Sequence, residues 1–240
     1  MTDAQREQQL AANLEAVRAR IDAAASDAGH ESGEIGLVVV TKYFPASDVR
    51  ILAGLGVDEV GENRHQEAQA KAAECEDLAV RWHFIGGLQT NKAAAVARYA
   101  DVVESVDRPE LLARLDRGAS ERGRPLDVLL QVSLDAPDAT HRSGAAPEAL
   151  ADLAEQVTRH EALRLCGLMA VAPLSTATGA ADPDEAFARL AQIRADFLRD
   201  HPHATRLSAG MSGDLEQAIR HGATHVRVGS AILGSRPAVK

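Results

Sequence analysis

Short apolar runs alternate with longer segments of helical spacing eight times along this chain, and few folds accommodate that order. The runs fall at 36–42, 59–64, 82–89, 102–107, 127–134, 167–173, 205–212 and 225–233. Helical segments lie between them at 46–55, 65–76, 91–99, 109–122, 146–160, 183–200 and 213–221. Leu37-Val38-Val39-Val40 and Val128-Leu129-Leu130 are apolar at consecutive positions, as strands of a parallel sheet are when both faces are buried. Gly56, Gly123 and Gly222 each stand just before a strand, where a left-handed helix end is wanted. Pro109 and Pro183 suit a first helical turn. A further helix is expected over 4–29, with Leu10, Leu14, Val17 and Ile21 on one face. No linker, low-complexity stretch or fixed repeat marks a boundary. The expectation is an α/β protein: a (β/α)8 TIM barrel with an extra N-terminal helix, residues 1–240 forming a single domain. A doubly wound open sheet is the alternative, but no glycine-rich dinucleotide fingerprint follows the first strand.

Charge narrows the partners. The net charge is -9 and the pI about 5.5, so nucleic acid and anionic membrane are not expected partners. The N-terminal residues lack the apolar stretch of a signal peptide, and no apolar run is long enough to span a bilayer. Cys75 and Cys166 stand far apart without metal-ligand spacing, which suits a reducing compartment. A cytoplasmic protein is expected. Any anionic ligand must then be held by a local site, against the overall field.

Barrels of this type place their sites at the C-terminal strand ends, often with phosphate at the last two strands. Lys42 ends the first run. It could be a solvated lysine, or it could enter the barrel mouth, where partial desolvation frees its amine for Schiff-base formation; position alone does not decide. The seventh run ends in Ser208-Ala209-Gly210-Met211-Ser212-Gly213-Asp214, and the eighth contains Arg227-Val228-Gly229-Ser230. Either segment alone reads as a turn and helix cap; together they read as a phosphate site. A lysine facing a phosphate pocket suggests pyridoxal 5′-phosphate (PLP), whose aldehyde needs an amine and whose ring nitrogen needs a partner. Arg227 would supply that partner. Since a guanidinium does not accept a proton, it would leave the ring nitrogen unprotonated and weaken the ring as an electron sink.

These residues also carry a resemblance. Val39-Val40-Thr41-Lys42 with Pro45, Gly61-Glu62-Asn63, and Trp82-His83-Phe84-Ile85-Gly86-Gly87-Leu88-Gln89-Thr90-Asn91-Lys92 resemble the pyridoxal phosphate homeostasis protein family. So do Gly167-Leu168-Met169-Ala170, Leu207–Asp214 and Val226-Arg227-Val228-Gly229, in order over nearly the whole chain. The family is similar in fold to the N-terminal barrel of alanine racemases. The resemblance implies an internal aldimine on Lys42, Arg227 at the pyridine nitrogen, and Ser208, Gly229 and Ser230 around the phosphate. It also implies Asn63 and His83 beside the cofactor, though either could be a satisfied core polar group. Met211 would flank the ring or pack in the core. Tyr43-Phe44 stands where many members carry smaller or polar residues, and Arg142-Ser143-Gly144 where the family has Lys-Ser-Gly.

The resemblance implies a non-catalytic PLP carrier that buffers cofactor supply, with PLP-dependent apoenzymes as recipients; with no arm for domain exchange in the sequence, a monomer is the expected state. The alternative is a PLP-dependent racemase or lyase of low activity. Racemisation needs two bases on opposite faces of the substrate, which racemases complete with a second domain. Residues 135–141 hold two carboxylates and one imidazole but have the composition of a loop, and no metal site is assigned.

Overall fold

The computed structural model describes residues 2–135, 144–173 and 182–235. Eight parallel strands close in sequence order into a barrel. They are β1 (Gly36–Val40), β2 (Glu59–Glu62), β3 (Arg81–Phe84), β4 (Val102–Val106), β5 (Leu126–Gln131), β6 (Leu163–Met169), β7 (Arg206–Ser208) and β8 (His225–Val228). β8 returns to pair with β1, with Val38 opposite Arg227, so no edge is left open. This is the (β/α)8 arrangement the alternation predicts.

Around the sheet run α1 (Asp3–Asp27), α2 (Ala46–Gly54), α3 (His65–Glu74), α4 (Ala93–Ala97), α5 (Leu112–Arg122), α6 (Leu150–Thr158), α7 (Pro183–Asp200), α8 (Leu215–Arg220) and α9 (Ser230–Leu233). The apolar core fills the space between helices and strands. Leu111, Leu115, Leu126, Leu130, Leu153 and Phe187 form one part of it, and Leu10, Val39, Leu52, Val226 and Ile232 another. Because side chains alternate across a strand, Val128 and Leu130 pack outward and Leu129 points inward, meeting Val102 and Met169. Gly167 permits the close approach of β6 to β7: its φ is 153°, and a Cβ there would lie 1.9 Å from the Arg206 carbonyl oxygen.

The expected strands all form, but several stop early. β1 ends at Val40 rather than Lys42; Thr41 N–H still donates to Gly61, after which Phe44 N–H bonds back to Thr41 and the chain turns. β2, β3 and β7 are shorter in the same way, because a ladder ends where its neighbour does. The end of the eighth run is the helix α9. Residues 136–143, including all of the loop weighed as a metal site except Asp135 and including Arg142-Ser143, lie outside the described residues.

α1 follows the expected face, burying Leu10, Leu14, Val17 and Ile21. It begins with a capping box in which Thr2 and Gln5 satisfy each other's backbone N–H. It lies against α2, α8 and α9, where Arg6 grips Asp48 at 2.6 Å and Asn13 Nδ2 donates to the Ile232 carbonyl at 2.8 Å.

Candidate functional site

A cavity of about 260 Å³ opens at the C-terminal ends of β1 and β8, beside the loop that follows β7. It lies near the lower end of the roughly 300–1,000 Å³ seen for ligand clefts, so it suits a small molecule. Lys42, Met211, Arg227, Gly229 and Ser230 all line it. Five of the eight residues singled out from the sequence therefore meet on one wall system.

The remaining three do not line it. Asn63 packs against the loop after β3, so closely that a Cβ on Gly86 would lie 2.3 Å from the Asn63 carbonyl. His83 lies in the barrel interior, with Nδ1 2.7 Å from Glu104 Oε1 and Nε2 3.5 Å from Glu59 Oε1. Ser208 also lies within the barrel: its hydroxyl donates to Glu104 Oε2 at 2.6 Å and accepts from Arg227 at 2.7 Å. The expected contact of His83 and Ser208 with the cofactor is thus not carried by this cavity wall, although Ser208 touches the lining residue Arg227. Both side chains alternate inward below the mouth, where a buried carboxylate holds them.

Electrostatics follow from that chain of contacts. Burial drives the Glu104 carboxyl upward, but His83, Arg227 and the Ser208 hydroxyl together hold it below its ordinary value. Burial lowers His83, yet the hydrogen bond to Glu104 and the nearby Glu59 carboxylate leave it above its ordinary value. Arg227 is pushed down by burial against the opposing pull of Glu104, and it stays charged. Its guanidinium also donates to the Ala170 carbonyl at 2.9 Å. The arginine is thus fixed by strands β4, β6 and β7 before any ligand arrives.

Val40, Tyr43, Phe44, Ile85, Ser212 and Gly213, from segments already singled out in the sequence, also line the cavity, and Gly234, which was not singled out, completes it. Ser212 and Ser230, from the loops after β7 and β8, bring their hydroxyls within 3.5 Å of each other. Among the described residues, the N–H groups of Ser212, Gly213 and Gly229 donate to no protein acceptor. Asp214 holds this loop in shape, accepting from Met211 N–H at 2.6 Å. Two hydroxyls and several unused N–H donors form a surface suited to a multiply accepting anion. A phosphate, an amine-reactive aldehyde and a ring nitrogen are each met by a group in this cavity, so the residues present fit PLP.

The family described as alanine racemase, N-terminal domain, matches residues 9–237. The pyridoxal phosphate homeostasis protein of Mycobacterium tuberculosis is 45% identical, over 96% of this chain and 94% of its own. PipY of Synechococcus elongatus, a structure described as having PLP bound, is 35% identical with a TM-score of 0.79, covering 94% of this chain and 100% of that one. Alanine racemase from Streptomyces coelicolor agrees in fold, with a TM-score of 0.71 at 18% identity, and this chain covers 59% of its length.

Proposed function

We propose, because this chain belongs to the alanine racemase N-terminal domain family and to the pyridoxal phosphate homeostasis proteins within it, that it binds PLP and buffers its supply without sustained catalysis. One observation carries the reading. Lys42, Arg227, Gly229 and Ser230 line a single small-molecule cavity, although Lys42 lies 185 or more positions from the other three.

When bound, PLP supplies an aldehyde that captures amines and a ring that withdraws electrons. Lys42 offers the amine that would hold the aldehyde. Arg227, fixed from below, would donate to the ring nitrogen and leave it without a proton, which favours holding over carbanion chemistry. Ser212, Gly213, Gly229 and Ser230 would receive the phosphate, and Met211 would cover the ring. PLP-dependent apoenzymes are the natural recipients, and a monomer in the cytoplasm is the proposed state. In keeping with that, no helix among the described residues is long and apolar enough to cross a membrane.

Borohydride reduction of the PLP-loaded protein, followed by peptide mapping, should place the pyridoxyl group on Lys42. Lys42→Ala should lose the absorbance band of the adduct, and Arg227→Glu should shift it by allowing the ring nitrogen to protonate. Label on another lysine, or an unchanged band in either variant, would reject these assignments. The second reading, a racemase or lyase, draws on Tyr43, a titratable residue that lines the cavity. Turnover of an amino acid at about 1 to 1,000 per second, as in ordinary enzymes, would establish that reading against the carrier.

A further inference from the structure

The turn that carries Lys42 is held on both sides by a buried ion-pair cluster. On one side, the Thr41 carbonyl accepts from Lys71 Nζ at 2.7 Å, and the Thr41 hydroxyl donates to Glu62 Oε1 at 2.6 Å. On the other, Tyr43 N–H donates to Glu67 Oε1. Those same two carboxylate oxygens receive Lys71, at 2.6 Å from Glu62 and 2.8 Å from Glu67. Glu62 and Lys71 are 1% and 5% exposed. Three side chains from β2 and α3 therefore converge on the two residues that flank one lysine.

The backbone they hold is strained. Tyr43 has φ of 72°, the one positive value for a non-glycine among the described residues. A bulky residue stays in the left-handed region only where its surroundings fix it there, and such residues gather at functional sites. Burying the cluster has a cost of its own: burial pushes the Glu62 carboxyl above its ordinary value even beside Lys71. A buried ion pair is often no more stabilising than apolar side chains of the same volume, so packing gives no reason for it here. A fixed backbone does.

We infer that Glu62, Glu67 and Lys71 are positioning residues that lock the turn so that Lys42 enters the cavity. The inference rests on the reading above, in which Lys42 takes the PLP aldehyde. Without the lock, Tyr43 relaxes toward negative φ, and the chain beside Lys42 turns with it. The amine is then present but misdirected.

The test compares wild type, Glu67→Ala, Lys71→Met, Tyr43→Gly and the last two combined. Each is measured for PLP affinity by absorbance titration, for the rate at which borohydride fixes PLP on Lys42, and for melting of the unloaded protein. Lys71→Met should weaken affinity and slow fixation about tenfold, as expected for losing hydrogen bonds to a charged group. Glu67 is half-buried, so Glu67→Ala should lower affinity about threefold with its melting temperature nearly unchanged. Glycine adopts positive φ freely, so the Lys71→Met loss should shrink to about threefold in the Tyr43→Gly background, without recovery of melting temperature. Wild-type affinity in Glu67→Ala and in folded Lys71→Met would overturn the inference, as would losses that follow melting temperature alone. A wild-type protein that takes up no PLP would instead overturn the reading on which it rests.

Discussion

Glu104 keeps a negative charge at the centre of the barrel only because donors and cations enclose it. It is 1% exposed, within 2.7 Å of His83 Nδ1 and 3.7 Å of the Arg227 guanidinium. Glu104→Gln leaves Arg227 without its nearest counter-charge and His83 with Glu59 alone, and should cost about 3 kcal/mol or more, measured by urea unfolding. The same change removes one of the three groups that hold Arg227, with Ser208 and the Ala170 carbonyl remaining, so the absorbance band of bound PLP should move too; an unmoved band would show that Arg227 is held without Glu104. The pH dependence has opposing parts. Glu104 is lowered from 4.5, so its contribution is present above that pH and is lost as pH falls through the folded value. His83 is raised from 6.5, so its contribution is present below 6.5 and is lost as pH rises through the folded value. His225 runs the other way: burial, aided by Arg206, lowers it to about 4, so it costs stability as pH falls from 6.5. Comparison with His83→Gln isolates the histidine. The wild-type advantage in melting temperature should be greatest below pH 6.5 and narrow above it; a constant difference between about pH 6 and 9 would refute a charged His83.

Elements were legible where their signal is local. The face of α1 can be read from Leu10, Leu14, Val17 and Ile21 alone, and all four are buried. Strand ends could not be read this way. Ala231-Ile232-Leu233 is equally apolar in a strand or a helix, and only the pairing shows that the β1–β8 ladder ends at Val39 and Val228 before α9 begins at Ser230. The site divides along the same line. Lys42, Arg227, Gly229 and Ser230 follow from their order along two strands, whereas the depth of His83 and Ser208 depends on how the strands stagger around the barrel. Glu104 did leave a trace, an acid within Val102-Val103-Glu104-Ser105-Val106, a strand buried along its whole length. α1 lies outside the eightfold pattern, yet it braces the ligand loops: Arg20 donates to the Ser212 carbonyl at 3.2 Å. Leu14→Ala should therefore cost about 2–5 kcal/mol by urea unfolding, as for other buried leucines. A cost under about 0.5 kcal/mol, the range of surface changes, would mean that α1 is not part of the cooperative core.

The whole molecule repels the ligand its cavity is built to hold. A net charge of -9 acts on an approaching anion over a Debye length of about 8–10 Å, while Lys42, Arg227 and the loop donors act at contact. Distance separates the two effects, and so does salt. Screening should relieve the long-range repulsion and leave the enclosed contacts largely intact. The association rate of PLP, followed by stopped-flow absorbance, should thus rise roughly twofold between about 10 and 200 mM salt, while dissociation changes less. An association rate that falls with salt would mean that positive charge near the mouth dominates what the ligand meets. If the chain is the PLP carrier proposed above, the acidic exterior has a direct consequence: once PLP leaves the cavity, the surface should not draw it back, which would favour capture by an acceptor with a less negative approach.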